Sequence, residues 1–553
     1  MLDEQRRSDV VGAMDSYVRV TKTVSPDAKN MFAWIEWIVM ADLPITIVDN
    51  EYYRKRSNLK PTSYKTVSKH MEALMKILEA NIKRGLPQTF GLLFDGWSCD
   101  GEHYIGIFAT WVRDNGTVIK RLISCGVQDL PEGEAAASTF GFAAEDIGDY
   151  VFDVLAKYDR DFSAIEFMTG DNAYVNSRLC NLISDWLWDK KKIRRVVPLI
   201  GCAAHRLNLA VSHLFSADVN PEWHELIQKV HALMSDLKTI KNRPRLAVAT
   251  HLAPQIRQDT RWNSTYHMLV KYLNICKATE NFQTCVGFSL ATRRLVPTFT
   301  GSLNEHTAIE EIVKVLAKFE EVSVWLQHQD SKKIPLNKIR YYFDAIIKMH
   351  PETSAYLSKD GDNVNNEHFE NAIAKIHTAV EKHEETVRLT KDEKDAVVIF
   401  LKKPIEDSDD DDEVHVQESF IRDADDEYEM RVLKKSKMEF PYVDISHVAG
   451  TSVIVEQLFS RCGIIMRPHR RLMDPSTLEM LVMFRFNKDL WDEEEVERAM
   501  KGAPQPLPAG YTTPLTSITT VVRSSSSSIS SSVSGGRVSG GARASSSSSS
   551  GRL

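Results

Sequence analysis

Along residues 1–88 the apolar positions Met31, Trp34, Ile35, Ile38 and Val39 recur at three- and four-residue intervals. That spacing predicts a helix burying one face, broken at Pro44 and followed by a second helical stretch over 63–84. From Thr89 the period changes to that of β-structure, predicting strands at 90–94, 103–112 and 117–127. Asp95-Gly96 with Asp100-Gly101, and then Asn115-Gly116, are read as the turns between them. Three antiparallel strands are the economical arrangement. A helix near 140–157, a strand at 164–168, a helix at 173–190, a strand at 196–200 and a helix at 202–214 complete a βββαβαβα order. That order implies a mixed sheet with helices on its faces.

Beyond Val211 the strand pattern stops. Helical periodicity takes over at 223–241, 264–282, 307–327, 336–349, 366–388 and 393–400, and returns at 451–459 and 475–491. The expected organisation is a helical region over 1–88, the first part of an α/β domain over 89–215 and a helical block over 216–400. An acidic disordered linker over 401–435, a C-terminal region over 436–500 and a disordered Ser/Gly-rich tail over 501–553 follow. The linker expectation rests on charge: 406–429 carries 13 acids against Arg422 alone. The chain's net charge of −7 is therefore regional, because the tail from Ala503 carries +4 and the remainder of the 553 residues is near neutral. Bulk charge neither requires nor excludes a nucleic-acid partner. With 43% hydrophobic and 26% charged residues, no long apolar run and no signal-like start, the composition is that of an intracellular globular protein, not a membrane protein. Seven cysteines without a CxxC pair argue against a disulfide framework and do not support zinc.

Three sets of residues could carry chemistry. Asp95 ends the first predicted strand and Asp171 follows the fourth, and carboxylates at neighbouring strand ends can hold Mg²⁺ or Mn²⁺ against a phosphodiester. The same residues also suit a turn and a helix cap, and spacing alone leaves both readings open. Cys202 and His205 lie three apart on a predicted helix; without a second ligand pair they read as a buried thiol beside a hydrogen-bonded imidazole. Arg261 and Trp262 place a cation and an indole before a long helix, a pair that can grip phosphate and stack on a base, although the indole equally suits a core. Basic clusters at Lys190-Lys191-Lys192-Ile193-Arg194-Arg195 and Arg467-Pro468-His469-Arg470-Arg471 are candidate backbone contacts or solvated faces.

The order of these motifs resembles that of hAT-superfamily DNA transposases and proteins derived from them. The resemblance rests on Leu93-Phe94-Asp95-Gly96-Trp97-Ser98, Thr169-Gly170-Asp171-Asn172-Ala173 and Cys202-Ala203-Ala204-His205-Arg206-Leu207-Asn208-Leu209. It continues through Thr260-Arg261-Trp262-Asn263-Ser264-Thr265-Tyr266 and Thr451-Ser452-Val453-Ile454-Val455-Glu456-Gln457-Leu458-Phe459-Ser460, and it covers roughly Trp34 to Trp491. It implies an RNase-H-like mixed sheet interrupted by a large helical insertion, in an α/β plus α chain with a helical N-terminal region. Asp95, Asp171 and Glu456 would form the catalytic, metal-holding triad, with Mg²⁺ or Mn²⁺ as cofactor and no small-molecule cofactor. Trp262 would stack on a flipped base beside Arg261, and Cys202 and His205 would be structural or supportive. Leu458, Phe459, Leu478, Leu481, Val482, Phe484 and Leu490 would form the C-terminal hydrophobic unit and part of a subunit interface used in dimerisation, with helices buried within one subunit as the competing explanation. DNA, a second copy of the chain and a nuclear location are implied in the same way. The alternative is a catalytically silent, dimerising, DNA-associated regulator. The sequence departs from the family pattern in three places: no CxxC with a downstream histidine pair precedes Cys99, where many relatives carry a BED zinc finger, Val453-Ile454-Val455 replaces small residues, and Gln457 stands where arginine is common.

Overall fold

The structure, a computed structural model, describes residues 24–128, 143–258, 261–280, 282, 285, 303–328, 334–358, 366–402, 440–467, 470 and 473–502. The expected linker at 406–429, the tail from 503 and residues 1–23 lie outside the described residues.

Helix α1 (Pro26–Met40) begins where Ser25 accepts a hydrogen bond from the Ala28 amide and Pro26 presets the first turn. It buries Met31, Trp34, Ile35, Ile38 and Val39, the stripe its spacing predicts. Helix α2 (Tyr64–Gly85), capped by Ser63, buries Val67, Met71, Leu74, Leu78 and Ile82 on one face.

Strands β1 (Phe90–Cys99), β2 (Glu102–Val112) and β3 (Val118–Val127) form an antiparallel meander. One expectation is corrected here. Asp95-Gly96 is not a turn: β1 continues through it, with Asp95 opposite Gly106, and the chain reverses at Asp100-Gly101 instead. Both turn residues have positive φ, 53° and 94°, which a two-residue hairpin matching strand twist requires and which Asp and Gly tolerate. Helix α3 (Ala144–Lys157) leads to β4 (Ile165–Gly170), then α4 (Tyr174–Trp186), β5 (Leu199–Gly201) and α5 (Ala203–Leu214). The five strands form one mixed sheet in the order β3-β2-β1-β4-β5, with β4 parallel to both β1 and β5.

After α5 the chain builds a second apolar core from α6 (Pro221–Leu237), α7 (Asn263–Ala278), α8 (Leu303–Leu326), α9 (Leu336–Met349) and α10 (Glu367–Glu381). A short helix at Arg243–Ala249 appears that the periodicity did not indicate. The chain then re-enters along residues 440–452 and lies across the sheet. Thr110 and Thr169 donate side-chain hydrogen bonds to the carbonyls of His447 and Ala449, and the Ala203 amide donates to Gly450.

Helices α11 (Val453–Ile465), α12 (Pro475–Phe486) and α13 (Glu493–Lys501) finish the packing: α11 covers β1 and β2, α12 covers β3, and α13 joins α1 and α2. Gly106 shows how closely α11 approaches, since a Cβ there would fall 2.8 Å from Leu458 and 3.0 Å from Val455. This packing corrects the dimerisation assignment. Leu458, Phe459, Leu478, Leu481, Val482 and Phe484 are all buried within the single chain, and Leu490 is half-buried against the same core. Five consecutive buried residues, Met480 to Phe484, make α12 apolar around its whole circumference, as befits a helix enclosed between sheet and neighbouring helices.

Candidate acidic site

The site is assembled where β1 outruns its parallel neighbour. Pairing with β4 ends at Leu93 opposite Thr169, while β1 continues against β2 alone. Its residues then change from continuously buried to alternating, and Asp95 is the first of them. Asp95 faces the same side of the sheet as Gly106, toward α11. Asp171 lies just past the end of β4, two residues beyond Thr169, whose side chain reaches the strap under α11. Glu456 stands in the first turn of α11. Residues from opposite ends of the chain, Asp95 and Glu456, are thus brought to one side of the sheet.

The electrostatics record that convergence. The Asp95 carboxyl is pushed up to about 7, first by burial and then by the charges of Asp171 and Glu456, against the Gly96 amide and the Arg261 guanidinium, which pull it down. A carboxyl raised in this way, by burial first, is partly protonated near neutrality. Asp171 Oδ1 accepts hydrogen bonds from Asn176 Nδ2 (2.6 Å) and from the Ala173 amide (3.1 Å). The helix-cap alternative for Asp171 is corrected here: the N-cap of α4 is Ala173, without a side-chain cap, and Asp171 instead closes a local turn onto the Ala173 amide. Glu456 Oε2 pairs with Arg261, whose side chain remains 59% exposed. One oxygen of each acid, Oδ2 of Asp95 and Asp171 and Oε1 of Glu456, takes no hydrogen bond from the described residues.

Among the described residues no three His, Cys, Asp or Glu side chains stand close enough together to share a metal ion. Arg261 pairs with Glu456, and Asn176 bonds one oxygen of Asp171. Three carboxylates against one guanidinium leave a local negative excess of hard oxygen donors, chemically suited to Mg²⁺ or Mn²⁺. A cleft of about 270 Å³ opens beside Asp95 and Asp171, bounded by Phe94, His103, Ile147 and Asn176. His103, lowered by burial, lies within reach of Ser98, Nδ1 to Oγ 2.9 Å.

The remaining sequence candidates divide. Trp262 is 3% exposed and packs edge-on to Phe319 in the second core, so the base-stacking role expected of it is not available in this arrangement; the long α7 and α8 pair encloses the indole. Cys202 is buried, its thiol pushed up by burial, and accepts a hydrogen bond from the Ser452 amide at 3.4 Å. It fastens the end of β5 to the residue preceding α11, a supportive role; His205 on the next turn is half-buried. Of the basic clusters, Lys191 pairs with Asp161 (2.7 Å) and Arg195 donates to the Ile165 and Ser163 carbonyls, so they are internal ties. Lys192 and Arg194 remain near the exposed Trp188 ring. Arg470 donates to the Asp42 carbonyl and clasps α1. Asn176 and the strap residues Ala449 and Gly450 carried no sequence signal; an Asn five residues after an Asp is too common a pattern to stand out.

No helix among the described residues is long and apolar enough to cross a membrane. Comparison with protein-family models and with curated proteins finds no match to this chain.

Proposed function

We propose that this chain is a hAT-type, transposon-derived protein that binds DNA and cleaves or transfers its strands at the Asp95–Asp171–Glu456 site. One observation carries the reading: Asp171, just past the end of β4, and Glu456, on a helix arriving from the far end of the chain, both act on the carboxyl of Asp95 in β1. The strand order β3-β2-β1-β4-β5 supports an RNase-H-like assignment, with the helical block between α5 and α11 as its insertion. Asp95 and Asp171 would hold a divalent cation through their unbonded oxygens, and Glu456 would join them on exchanging its bond with Arg261. When bound, such a cation supplies charge neutralisation and an activated water for phosphodiester chemistry. Asn176 fixes the orientation of Asp171, and Arg261 places a cation where a phosphate would lie. Self-association and a nuclear location belong to the same proposal, with any subunit contact made outside the buried apolar faces of α11 and α12.

The Arg261–Glu456 pair favours a second reading, a catalytically silent DNA-associated regulator in which the guanidinium stands in for the cation. Cleavage of duplex DNA by the purified chain with Mg²⁺ or Mn²⁺, compared with Asp171→Ala, separates the two. The enzyme reading expects metal-dependent cleavage that falls at least about 10²-fold in the variant. DNA binding without cleavage in either protein leaves the regulator.

A further inference from the structure

Residues 51–69 form a strongly basic stretch of surface. Six cations, Arg54, Lys55, Arg56, Lys60, Lys65 and Lys69, stand against Glu51 alone. Tyr52, Tyr53 and Tyr64 lie among them, 72%, 36% and 42% exposed. The surface is rigidly built. Arg54 donates to the Val48 carbonyl (2.6 Å), the Thr62 carbonyl (2.6 Å) and Asp49 Oδ1 (2.7 Å), and Asp49 Oδ2 accepts from the Tyr64 amide. The short helix Glu51–Arg56 and the start of α2 are thereby clamped side by side.

The charge is available. Lys55 pairs with Glu51 and Lys60 with Asp27, both exposed contacts that compete weakly with a stronger anion. Arg56, Lys65 and Lys69 make no ion pair with the described residues, and all three are exposed. The Arg56 guanidinium lies 5.9 Å from the Tyr52 ring centre and the Tyr53 ring leans on Trp37 at 5.8 Å, so each has one neighbour while Tyr52 stays 72% exposed. Phenolic hydroxyls on a basic surface of this kind can donate to phosphate oxygens beside the cations.

We propose that this surface, separate from the acidic site, holds the phosphate backbone of duplex DNA. The choice of ligand rests on the nucleic-acid reading above, but the two fail separately, because binding is read without metal and without cleavage.

The test is fluorescence anisotropy of a labelled duplex with the full chain in chelator, across a series of salt concentrations. It compares wild type with Arg56→Glu/Lys65→Glu/Lys69→Glu. Losing three phosphate contacts should weaken binding at least about tenfold and flatten the log–log salt slope by about 3. The charge-matched control Lys382→Glu/Lys391→Glu/Lys394→Glu, on exposed positions of the helical block, should keep most of the wild-type slope. Tyr52→Phe, which removes only the hydroxyl, should weaken duplex binding as much as Tyr52→Ala. The proposal is overturned if the patch variant binds like wild type, if the control loses as much, or if wild type binds anionic vesicles but no duplex. It is overturned equally if Tyr52→Phe is silent while Tyr52→Ala weakens binding to single-stranded DNA. An inactive protein that shows the expected salt slopes upholds the surface and removes only the catalytic reading.

Discussion

Asp95 is the residue at which several scales meet. A lone aspartate after four apolar residues suggests a strand end, and its titration is set first by burial, then by the adjacent Gly96 amide and by Asp171, Glu456 and Arg261, which no local window contains. Because its carboxyl is raised toward 7, the folded state binds a proton that the unfolded chain releases at lower pH. Stability from this position is therefore greatest below about pH 4 and declines as pH rises to about 7. Asp95→Asn should gain on the order of 1–2 kcal/mol at pH 8 and nothing at pH 4, measured by urea midpoints at the two values. Arg261→Ala, which removes the nearby cation, should move the Asp95 titration to still higher pH in a carboxyl-carbon NMR experiment. An unchanged titration would show that the guanidinium does not act on this group.

Among the elements, α12 illustrates how an apolar helix is misassigned. Its Leu478, Leu481, Val482 and Phe484 are compatible with a subunit interface when only the sequence is known, because hydrophobicity states that a face is covered and not by what. The covering turns out to be β3, α1 and α2 of the same chain. Leu481→Ala should then cost about 2–5 kcal/mol of unfolding free energy, through lost transfer energy and a residual cavity. It should do so without a concentration-dependent change in mass by light scattering; dissociation of a dimer at unchanged stability would restore the interface reading. The hairpin carries the converse lesson. Two Asp-Gly pairs five residues apart look equivalent, but only the second can reverse the chain while β1 stays paired with β2 past Asp95.

At the scale of the whole molecule, the helical block and the sheet are joined by buried polar groups. Arg206 on α5 pairs with Glu370 on α10 at 3.2 Å and also donates to the Tyr356 and Ser358 carbonyls; both side chains are nearly enclosed. Removing one member leaves an uncompensated charge, so Glu370→Ala should cost about 3–5 kcal/mol. His377 on α10 lies against the returning strap, bonded to the Ile445 backbone with Asp444 and Glu381 as acidic neighbours, and His447 of the strap bonds Glu166 of β4 at 2.7 Å. Burial lowers His377 to about 4, so the unfolded chain takes up a proton near pH 6.5 that the folded chain refuses. Stability from this group is complete above about pH 6.5 and is lost as pH falls toward 4, by about 2–3 kcal/mol in all. His377→Gln should flatten that part of the pH profile of the urea midpoint; a profile identical to wild type would assign the acid sensitivity elsewhere.

The amino-acid sequence determined the elements whose signal is local: the buried stripes of α1 and α2, the strand meander, and the alternation of strand and helix through α5, because a period of two or 3.6 is written in adjacent residues. The motif order also marked the three acids. Tertiary structure alone decided that Glu456 meets Arg261 as well as approaching Asp95, that Trp262 is enclosed, and that the C-terminal apolar faces close on their own chain. Those outcomes depend on which surfaces meet after the chain leaves the sheet at α5 and returns at α11, and side-chain pattern specifies that a face is buried while only packing specifies its partner.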